Sequence, residues 1–223
     1  MEIQNKINEI TQQIHHIQQQ MNQTTPVKLV AATKYVEAPV IRQLHACGIK
    51  QIGENRAEAL LEKKQALQDL DLEWHLIGTL QTKKVKQVIN EIAVLHALDR
   101  PSLAKAIQTY RHDVLDCFVQ VNVSGESTKH GVSVEELVPF IQTLQAYSKI
   151  RVIGLMTMAP AVATSELTHE IFRTLKQLQQ HIQSLKLASI PCECLSMGMS
   201  QDYMIAIEEG ATHIRLGSIL FSD

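Results

Sequence analysis

Short apolar runs recur along the chain, and amphipathic segments of helical period separate them. The runs expected to form strands are residues 29–33, 51–53, 74–78, 93–98, 117–123, 151–156, 194–197 and 213–216. A typical separating segment places Ile171, Leu175 and Ile182 on one face of a helix. Eight strands alternating with helices at this length predict an α/β fold, a single parallel (β/α)₈ barrel of the TIM type.

An additional helix is predicted before the barrel. Ile3, Ile7, Ile10, Ile14 and Ile17 alternate in steps of four and three, which places them on one helical stripe. About three heptads is short for a coiled coil, so the stripe is expected to pack on the barrel. The composition changes at residues 20–26. We therefore divide the chain into an N-terminal helix, residues 1–25, and a barrel, residues 26–223.

Local signals support this alternation of strands and helices. Ser133 and Glu136 have the spacing of a capping box. Pro101 suits the first turn of a helix, and Gly48 and Gly210 stand where helices are expected to end.

Composition excludes several classes of function. The formal net charge of -2 offers no basic surface for nucleic acid, and no run of about 18 apolar residues indicates a membrane span. The polar N-terminus lacks the apolar core of a signal peptide, and the four cysteines form neither a disulfide framework nor a zinc motif. No G-x-G-x-x-G or Walker sequence follows a strand. A cytoplasmic protein is expected.

Lys34 is the first charged residue after the first predicted strand. A lysine at the exit of a buried strand can be partly desolvated, which favours the nucleophilic amine that forms Schiff bases. The alternative is that Lys34 simply begins a loop.

The ends of the last two strands are where this fold often binds phosphate. Ser196 and Ser200 bring hydroxyls, Gly198 allows close approach of the backbone, and Gly217-Ser218 adds N–H groups. Ser200 is also expected to cap a helix from about residue 201 to 209. The alternative is ordinary turn chemistry, because Ser and Gly occur in many loops.

Three more polar residues fall on these strands or at their ends. Arg215 needs an acceptor inside the barrel, because an unpaired buried guanidinium is very costly; a structural pair with Glu208 or Glu209 is the alternative. His75 is either a site residue or a hydrogen-bonded core residue. Asn55 is either a site residue or the cap of the following helix.

These motifs together resemble the pyridoxal phosphate homeostasis proteins. The matching segments are Val30-Ala31-Ala32-Thr33-Lys34, Gly53-Glu54-Asn55, Trp74-His75-Leu76-Ile77-Gly78, Gln120-Val121-Asn122, Leu195-Ser196-Met197-Gly198-Met199-Ser200 and Ile214-Arg215-Leu216-Gly217. They extend over about residues 28 to 221, and the Leu-Ser-Met-Gly-Met-Ser segment is the most specific.

The resemblance implies a barrel like the N-terminal domain of alanine racemase, with pyridoxal 5′-phosphate (PLP) bound covalently as a Schiff base on Lys34. The phosphate would lie among Ser196, Ser200, Gly217 and Ser218, and Met199 would belong to the same cofactor site. Asn55 and His75 would lie near the ring, and Arg215 would face the pyridine nitrogen.

The resemblance also implies a role in vitamin B6 and amino-acid homeostasis rather than conventional PLP catalysis. An arginine can only donate, so Arg215 would favour an unprotonated ring nitrogen and a weaker electron sink. The additional β domain that supplies the second acid/base in alanine racemase is also expected to be absent. PLP and apo PLP-dependent enzymes are the expected partners, and a monomer is expected.

Two other functions remain open from the sequence. One is a PLP-dependent racemase with Lys34 as one base and His75 or Tyr203 as the other. The second is a metal-free Schiff-base aldolase, in which Lys34 attacks a sugar-phosphate ketone. A second PLP-binding lysine, such as Lys129, also remains open.

Overall fold

A computed structural model describes residues 2–126 and 130–221, which form a barrel of parallel strands. The strands are β1 (Lys28–Ala32), β2 (Gln51–Glu54), β3 (Glu73–Leu76), β4 (Val94–Leu98), β5 (Leu115–Asn122), β6 (Val132–Ser133), β7 (Ile150–Met156), β8 (Cys194–Ser196) and β9 (His213–Leu216). Lys129, for which a second PLP-binding role was left open, lies outside the described residues.

The strands close on themselves in chain order. β1 pairs with β2, β2 with β3, β3 with β4, β4 with β5, β5 with β7, β7 with β8, and β8 with β9. The pairing of β9 with β1 completes the ring, and every pairing is parallel. Among the described residues the ring has eight strands, and the two-residue β6 pairs with β5 outside it. The predicted (β/α)₈ barrel is confirmed.

Helices precede the first strand, occupy connections between the strands and follow the last one. They are α1 (Glu2–Gln20), α2 (Ala38–Ala46), α3 (Ala57–Ala66), α4 (Val85–Val88), α5 (Pro101–Tyr110), α6 (Val134–Leu144), α7 (Ser165–Ser184), α8 (Tyr203–Glu208) and α9 (Ser218–Phe221), with a 3₁₀ turn at Thr82–Lys84. In the part of the chain that the structure describes, no helix has both the length and the hydropathy to cross a bilayer.

The helix ends predicted at Ser133, Pro101, Gly48 and Gly210 are present. The Ser133 hydroxyl accepts a hydrogen bond from the Glu136 N–H at 3.3 Å, which is the serine half of a capping box, and it donates to the Glu136 carboxylate at 3.2 Å. Pro101 is the first residue of α5. Gly48 and Gly210 follow helices at φ of 88° and 94°, a conformation that costs glycine little.

The N-terminal helix packs on the barrel through the predicted isoleucine stripe. Ile7, Ile10, Ile14 and Ile17 are buried and belong to the same hydrophobic cluster as the barrel's outer core. α1 contacts α8, α9 and α2. The division of the chain at residue 25 stays a prediction.

The buried apolar side chains of the described residues form two clusters. The larger one lies between the strands and the helices. The smaller one contains Val94, Ala97, Phe118 and Met156. The Phe118 ring lies 4.6 Å from the His96 ring and 5.0 Å from the His213 ring between centroids, so aromatic and polar side chains share the barrel interior.

We expect Ile10→Ala to lower the free energy of unfolding by about 2 to 4 kcal/mol, because the isoleucine is only 2% exposed and its loss leaves a cavity. Thr11→Ala, at the next and exposed position of the same helix, is the control and should change stability little. Urea unfolding measures both. Equal small effects would show that α1 does not share the barrel's cooperative core.

Candidate functional site

Three neighbouring strand ends bring the predicted site residues together. β9 lies between β1 and β8, with Val30 opposite Arg215, Ala31 opposite Leu216, and Ser196 opposite His213. The carboxyl ends of parallel strands meet at one end of a barrel. The segments that follow β1, β8 and β9 are therefore adjacent, although they are far apart in the sequence.

Lys34 lies two residues beyond the end of β1, in an exposed turn. Its Nζ lies 4.6 Å from the centroid of the Tyr35 ring, a cation–π contact. The strand end therefore does not shield the side chain as the sequence suggested, because β1 ends at Ala32 and the turn carries Lys34 to the surface.

Ser200 joins the segment after β8 to the segment after β9. Its Oγ accepts hydrogen bonds from the backbone N–H of Gly217 at 3.2 Å and of Ile219 at 3.4 Å. The expected helix cap at Ser200 is wrong, because α8 begins at Tyr203 and Asp202 is its N-cap residue. The Asp202 carboxylate instead accepts from the Met199 N–H at 2.5 Å, which shapes the turn around Met199.

Gly198 allows the turn after β8 to lie against α8. Its φ is 93°, and a Cβ there would lie 2.5 Å from the Ala206 Cβ. Its carbonyl accepts from the Arg215 N–H at 2.9 Å, so this turn is tied to β9 as well. Gly217 approaches β1 similarly, since a Cβ there would lie 3.3 Å from the Ala32 carbonyl oxygen. Ser218 begins α9 and is exposed.

Buried polar side chains form a continuous chain of hydrogen bonds across the barrel interior. Arg215 Nη1 donates to Ser196 Oγ at 2.5 Å, and Ser196 Oγ lies 2.8 Å from His96 Nδ1. His96 Nε2 lies 2.9 Å from His75 Nδ1, and His75 Nε2 lies 2.8 Å from Glu73 Oε1. The chain begins near the carboxyl end of β9 and reaches the first residue of β3.

All four hydrogen bonds of this chain can form at once when each side chain donates to the next one in the direction of Glu73. Arginine can only donate, so the Ser196 oxygen accepts from it and the Ser196 O–H donates to His96. Burial lowers the pKa of His96 well below its usual value, so the neutral ring donates onward from Nε2 to His75. His75 then donates to Glu73, and this hydrogen bond lowers the pKa of the Glu73 carboxyl to about 2.

Arg215 is held by a hydroxyl and a backbone carbonyl rather than by a carboxylate. Besides Ser196, its Nη2 donates to the Thr157 carbonyl at 3.0 Å, and burial lowers the pKa of the guanidinium to about 10. The alternative pairing with Glu208 or Glu209 is wrong. Both glutamates contact His169 on α7 instead.

Asn55 is exposed in the turn after β2. Gly78, after β3, lies so close that a Cβ there would be 2.3 Å from the Asn55 carbonyl oxygen. Asn55 does not occupy the N-cap position of α3, because the N-cap residue is Arg56, whose side chain makes no capping hydrogen bond. His75 lies fully buried within the hydrogen-bonded chain, as its core alternative expected. The roles of Asn55 and His75 toward a cofactor stay predictions.

Sequence reasoning missed His96 and the buried Lys63 of α3. His96 interrupts a completely buried run on β4, so a polar residue inside an apolar strand was its signal. Lys63 follows Ala57 and Leu60 on the buried face of α3, so a lysine at core spacing was its signal.

Comparison with known proteins identifies the family to which this fold belongs. Residues 6–223 match the family model of the alanine racemase N-terminal domain. Over 199 residues the chain is 43% identical to the pyridoxal phosphate homeostasis protein of Aquifex aeolicus, covering 88% of this chain and 86% of that protein.

Solved structures show the same fold. PipY of Synechococcus elongatus, whose structure with PLP bound is known, superposes with a TM-score of 0.82 at 29% identity, covering 94% of this chain and 100% of PipY. Alanine racemase of Corynebacterium glutamicum superposes with a TM-score of 0.70 at 16% identity, covering 95% of this chain and 60% of the racemase. The barrel is thus of the alanine racemase N-terminal class. Within that class, this chain belongs to the family of pyridoxal phosphate homeostasis proteins.

We expect the free energy of unfolding to fall as the pH decreases from about 6.5, because His96 and His213 stay neutral when folded. Burial lowers the pKa of His96 well below its usual value and the pKa of His213 to about 3. Between about pH 6.5 and pH 3 the unfolded state binds more protons, so each histidine adds a slope of about 1.4 kcal/mol per pH unit.

Urea unfolding at several pH values between 7.5 and 5 measures this slope. His213→Asn should reduce it by the contribution of one histidine, whatever its effect on stability at pH 7.5. His16→Gln, at an exposed position of α1, should leave it unchanged. An unchanged slope in His213→Asn would contradict the assignment.

Proposed function

We propose that this protein binds PLP at the shared ends of β1, β8 and β9, holds it as a Schiff base on Lys34, and serves PLP and amino-acid homeostasis. One observation carries the proposal. The N–H groups of Gly217 and Ile219 converge on a single oxygen acceptor, Ser200 Oγ, beside the strand end that leads to Lys34. The name of the Aquifex relative and the PLP-bound PipY structure support it.

The donors at this end suit a phosphate dianion. Backbone N–H groups and hydroxyls are the groups that bind phosphate in this fold, and no carboxylate is needed. Ser200, Gly217 and Ser218 would hold the phosphate, with Met199 in the turn beside it. Ser196, predicted at the same site, would lie on the barrel side of the phosphate, because its hydroxyl is bonded to Arg215 and His96.

Lys34 would provide the covalent attachment. Its Nζ would hold PLP through a C=N bond to the aldehyde carbon, with the aldehyde oxygen and the two amine protons lost as water. PLP supplies an electron-withdrawing ring when bound. Asn55 and His75 would stand on the side of β2 and β3.

Arg215 would set the electronic character of the ring. Its guanidinium can only donate a hydrogen bond, so a pyridine nitrogen facing it is an acceptor without its own proton. Electron-sink PLP enzymes commonly use a carboxylate at this position to keep the nitrogen protonated. The arginine therefore supports a carrier or regulator rather than a conventional PLP enzyme.

The second bases considered for a racemase are poorly placed. The Tyr203 hydroxyl bonds to Gln13 of α1, in the outer helical layer. Both ring nitrogens of His75 are engaged within the barrel. These contacts favour a protein without racemase turnover.

Three further expectations belong to this proposal. The protein would be cytoplasmic, in keeping with the free thiols of Cys47, Cys117, Cys192 and Cys194. It would be a monomer, because the barrel closes within one chain. Apo PLP-dependent enzymes would be the partners that receive cofactor.

We expect borohydride reduction of protein supplied with PLP, followed by peptide mass mapping, to give a phosphopyridoxyl adduct on Lys34. Lys34→Met should abolish the adduct. Lys28→Met is the matched control at the opposite end of β1 and should retain it, because Lys28 is remote from the strand ends that form the site. An unmodified Lys34 would contradict the proposal and favour the sugar-phosphate aldolase.

We expect the PLP-loaded protein to racemise L-alanine at less than one-thousandth of the rate of an alanine racemase assayed beside it. The reason is that the two candidate second bases, His75 and Tyr203, are hydrogen-bonded to other residues. Circular dichroism of alanine measures the turnover. A rate within tenfold of the racemase would show that the protein is a racemase.

A further inference from the structure

Lys63 is a buried cation on the core face of α3. Its residue is only 8% exposed, and it shares this face with Ala57 and Leu60. A lysine without access to water is costly unless its ammonium group is paired and hydrogen-bonded. The hydrogen-bond partners of the Lys63 ammonium group therefore need to be identified.

The partners are Glu54 at the end of β2 and Thr33 after β1. Lys63 Nζ donates to Glu54 Oε1 at 2.7 Å and to the Thr33 carbonyl oxygen at 2.8 Å. The Thr33 hydroxyl donates to the same Glu54 oxygen at 2.5 Å. Glu54 is 1% exposed and Thr33 is fully buried, so the three residues form a cluster closed to solvent.

This cluster holds the peptide unit from which Lys34 departs. The carbonyl that accepts from Lys63 is the acyl half of the Thr33–Lys34 peptide bond. The same carbonyl accepts from the Val36 N–H at 3.1 Å, and the Thr33 N–H donates to the Gly53 carbonyl at 3.0 Å. The backbone before Lys34 is therefore fixed from β2, from α3 and from its own turn.

Stability alone does not account for a buried ion pair at this place. Apolar residues of similar volume often serve a core as well or better. α3 is already anchored by Leu60, which is fully buried. The polar cluster of Lys63, Glu54 and Thr33 has another effect, because it ends on the Thr33–Lys34 peptide bond. It fixes the direction in which the exposed Lys34 side chain leaves the backbone.

We propose that Lys63, acting with Glu54 through Thr33, is a positioning residue for the Lys34 amine. This inference rests on the proposed attachment of PLP to Lys34 and names what holds that amine in place. Lys63 and Glu54 take no part in bond making. Misplacing a reacting group by about 1 Å can cost a hundredfold in rate, whereas binding of a ligand through its phosphate is unaffected.

The test compares covalent with non-covalent binding. The rate constant for C=N formation with PLP is followed by absorbance. The Kd of pyridoxine 5′-phosphate is measured by calorimetry; this probe carries an alcohol in place of the aldehyde and cannot form C=N. Lys63→Met/Glu54→Gln removes the ion pair without leaving a lone buried charge, and Lys63→Arg keeps a cation with donors.

We expect Lys63→Met/Glu54→Gln to lower the rate constant at least tenfold while the Kd of pyridoxine 5′-phosphate changes less than threefold. The single variant Lys63→Arg should keep the rate constant within threefold of the wild-type value. Lys64→Met is the matched control on the same helix, where Lys64 forms a partly exposed pair with Glu91, and it should leave both quantities unchanged.

An unchanged rate constant in the double variant, or an equal loss in both quantities, would overturn the positioning role. If the double variant does not fold, Lys63→Gln/Glu54→Gln decides, because it removes both charges while keeping polar side chains at both positions. A rate at least threefold lower with unchanged Kd supports the inference, and an unchanged rate overturns it. Wild-type protein that forms no C=N bond would overturn the proposed function itself.

Discussion

The pairing of β1 with β9 is the constraint on which the site depends. It joins residues near the two ends of the chain, Lys28 to Ala31 with His213 to Leu216, and so closes the barrel. Because the strands are parallel, closure also places the turn of Lys34 beside Gly217 and the Ser200 hydroxyl. The same hydrogen bonds that complete the fold therefore assemble the donors and the amine.

Closure also encloses polar groups that must satisfy one another. Arg215, Ser196, His96 and His75 have little or no exposure and bond in series toward Glu73. A partly satisfied buried network is costly, so each member depends on its neighbours. Lys63 and Glu54 form a second cluster, behind the end of β1, that satisfies itself in the same way. One network holds Arg215 and the other holds the backbone of Lys34.

Most of the fold was predictable from local patterns. The eight strands, the capping box at Ser133 and the buried isoleucines of α1 follow from periodicity and from the preferences of single residues. The predictions that were wrong concerned polar side chains that could bond to more than one partner. Ser200 suits a helix cap, yet its hydroxyl bonds to backbone groups at the next strand end and Asp202 takes the N-cap position. His96 and Lys63 carried no motif that named their partners.

The sequence by itself determined the barrel and its outer helix, because apolar period and turn chemistry act over a few residues. The candidate site residues were proposed from their places at strand ends and from the family resemblance. Only the tertiary structure decided which polar groups meet. It paired Arg215 with Ser196 and Thr157 rather than with a glutamate, left Lys34 exposed, and placed Lys63 against the Thr33 carbonyl. Hydrogen bonds and ion pairs are short-range and directional, and their partners here lie on different strands and helices. Their choice therefore depends on how closure of the barrel aligns those elements.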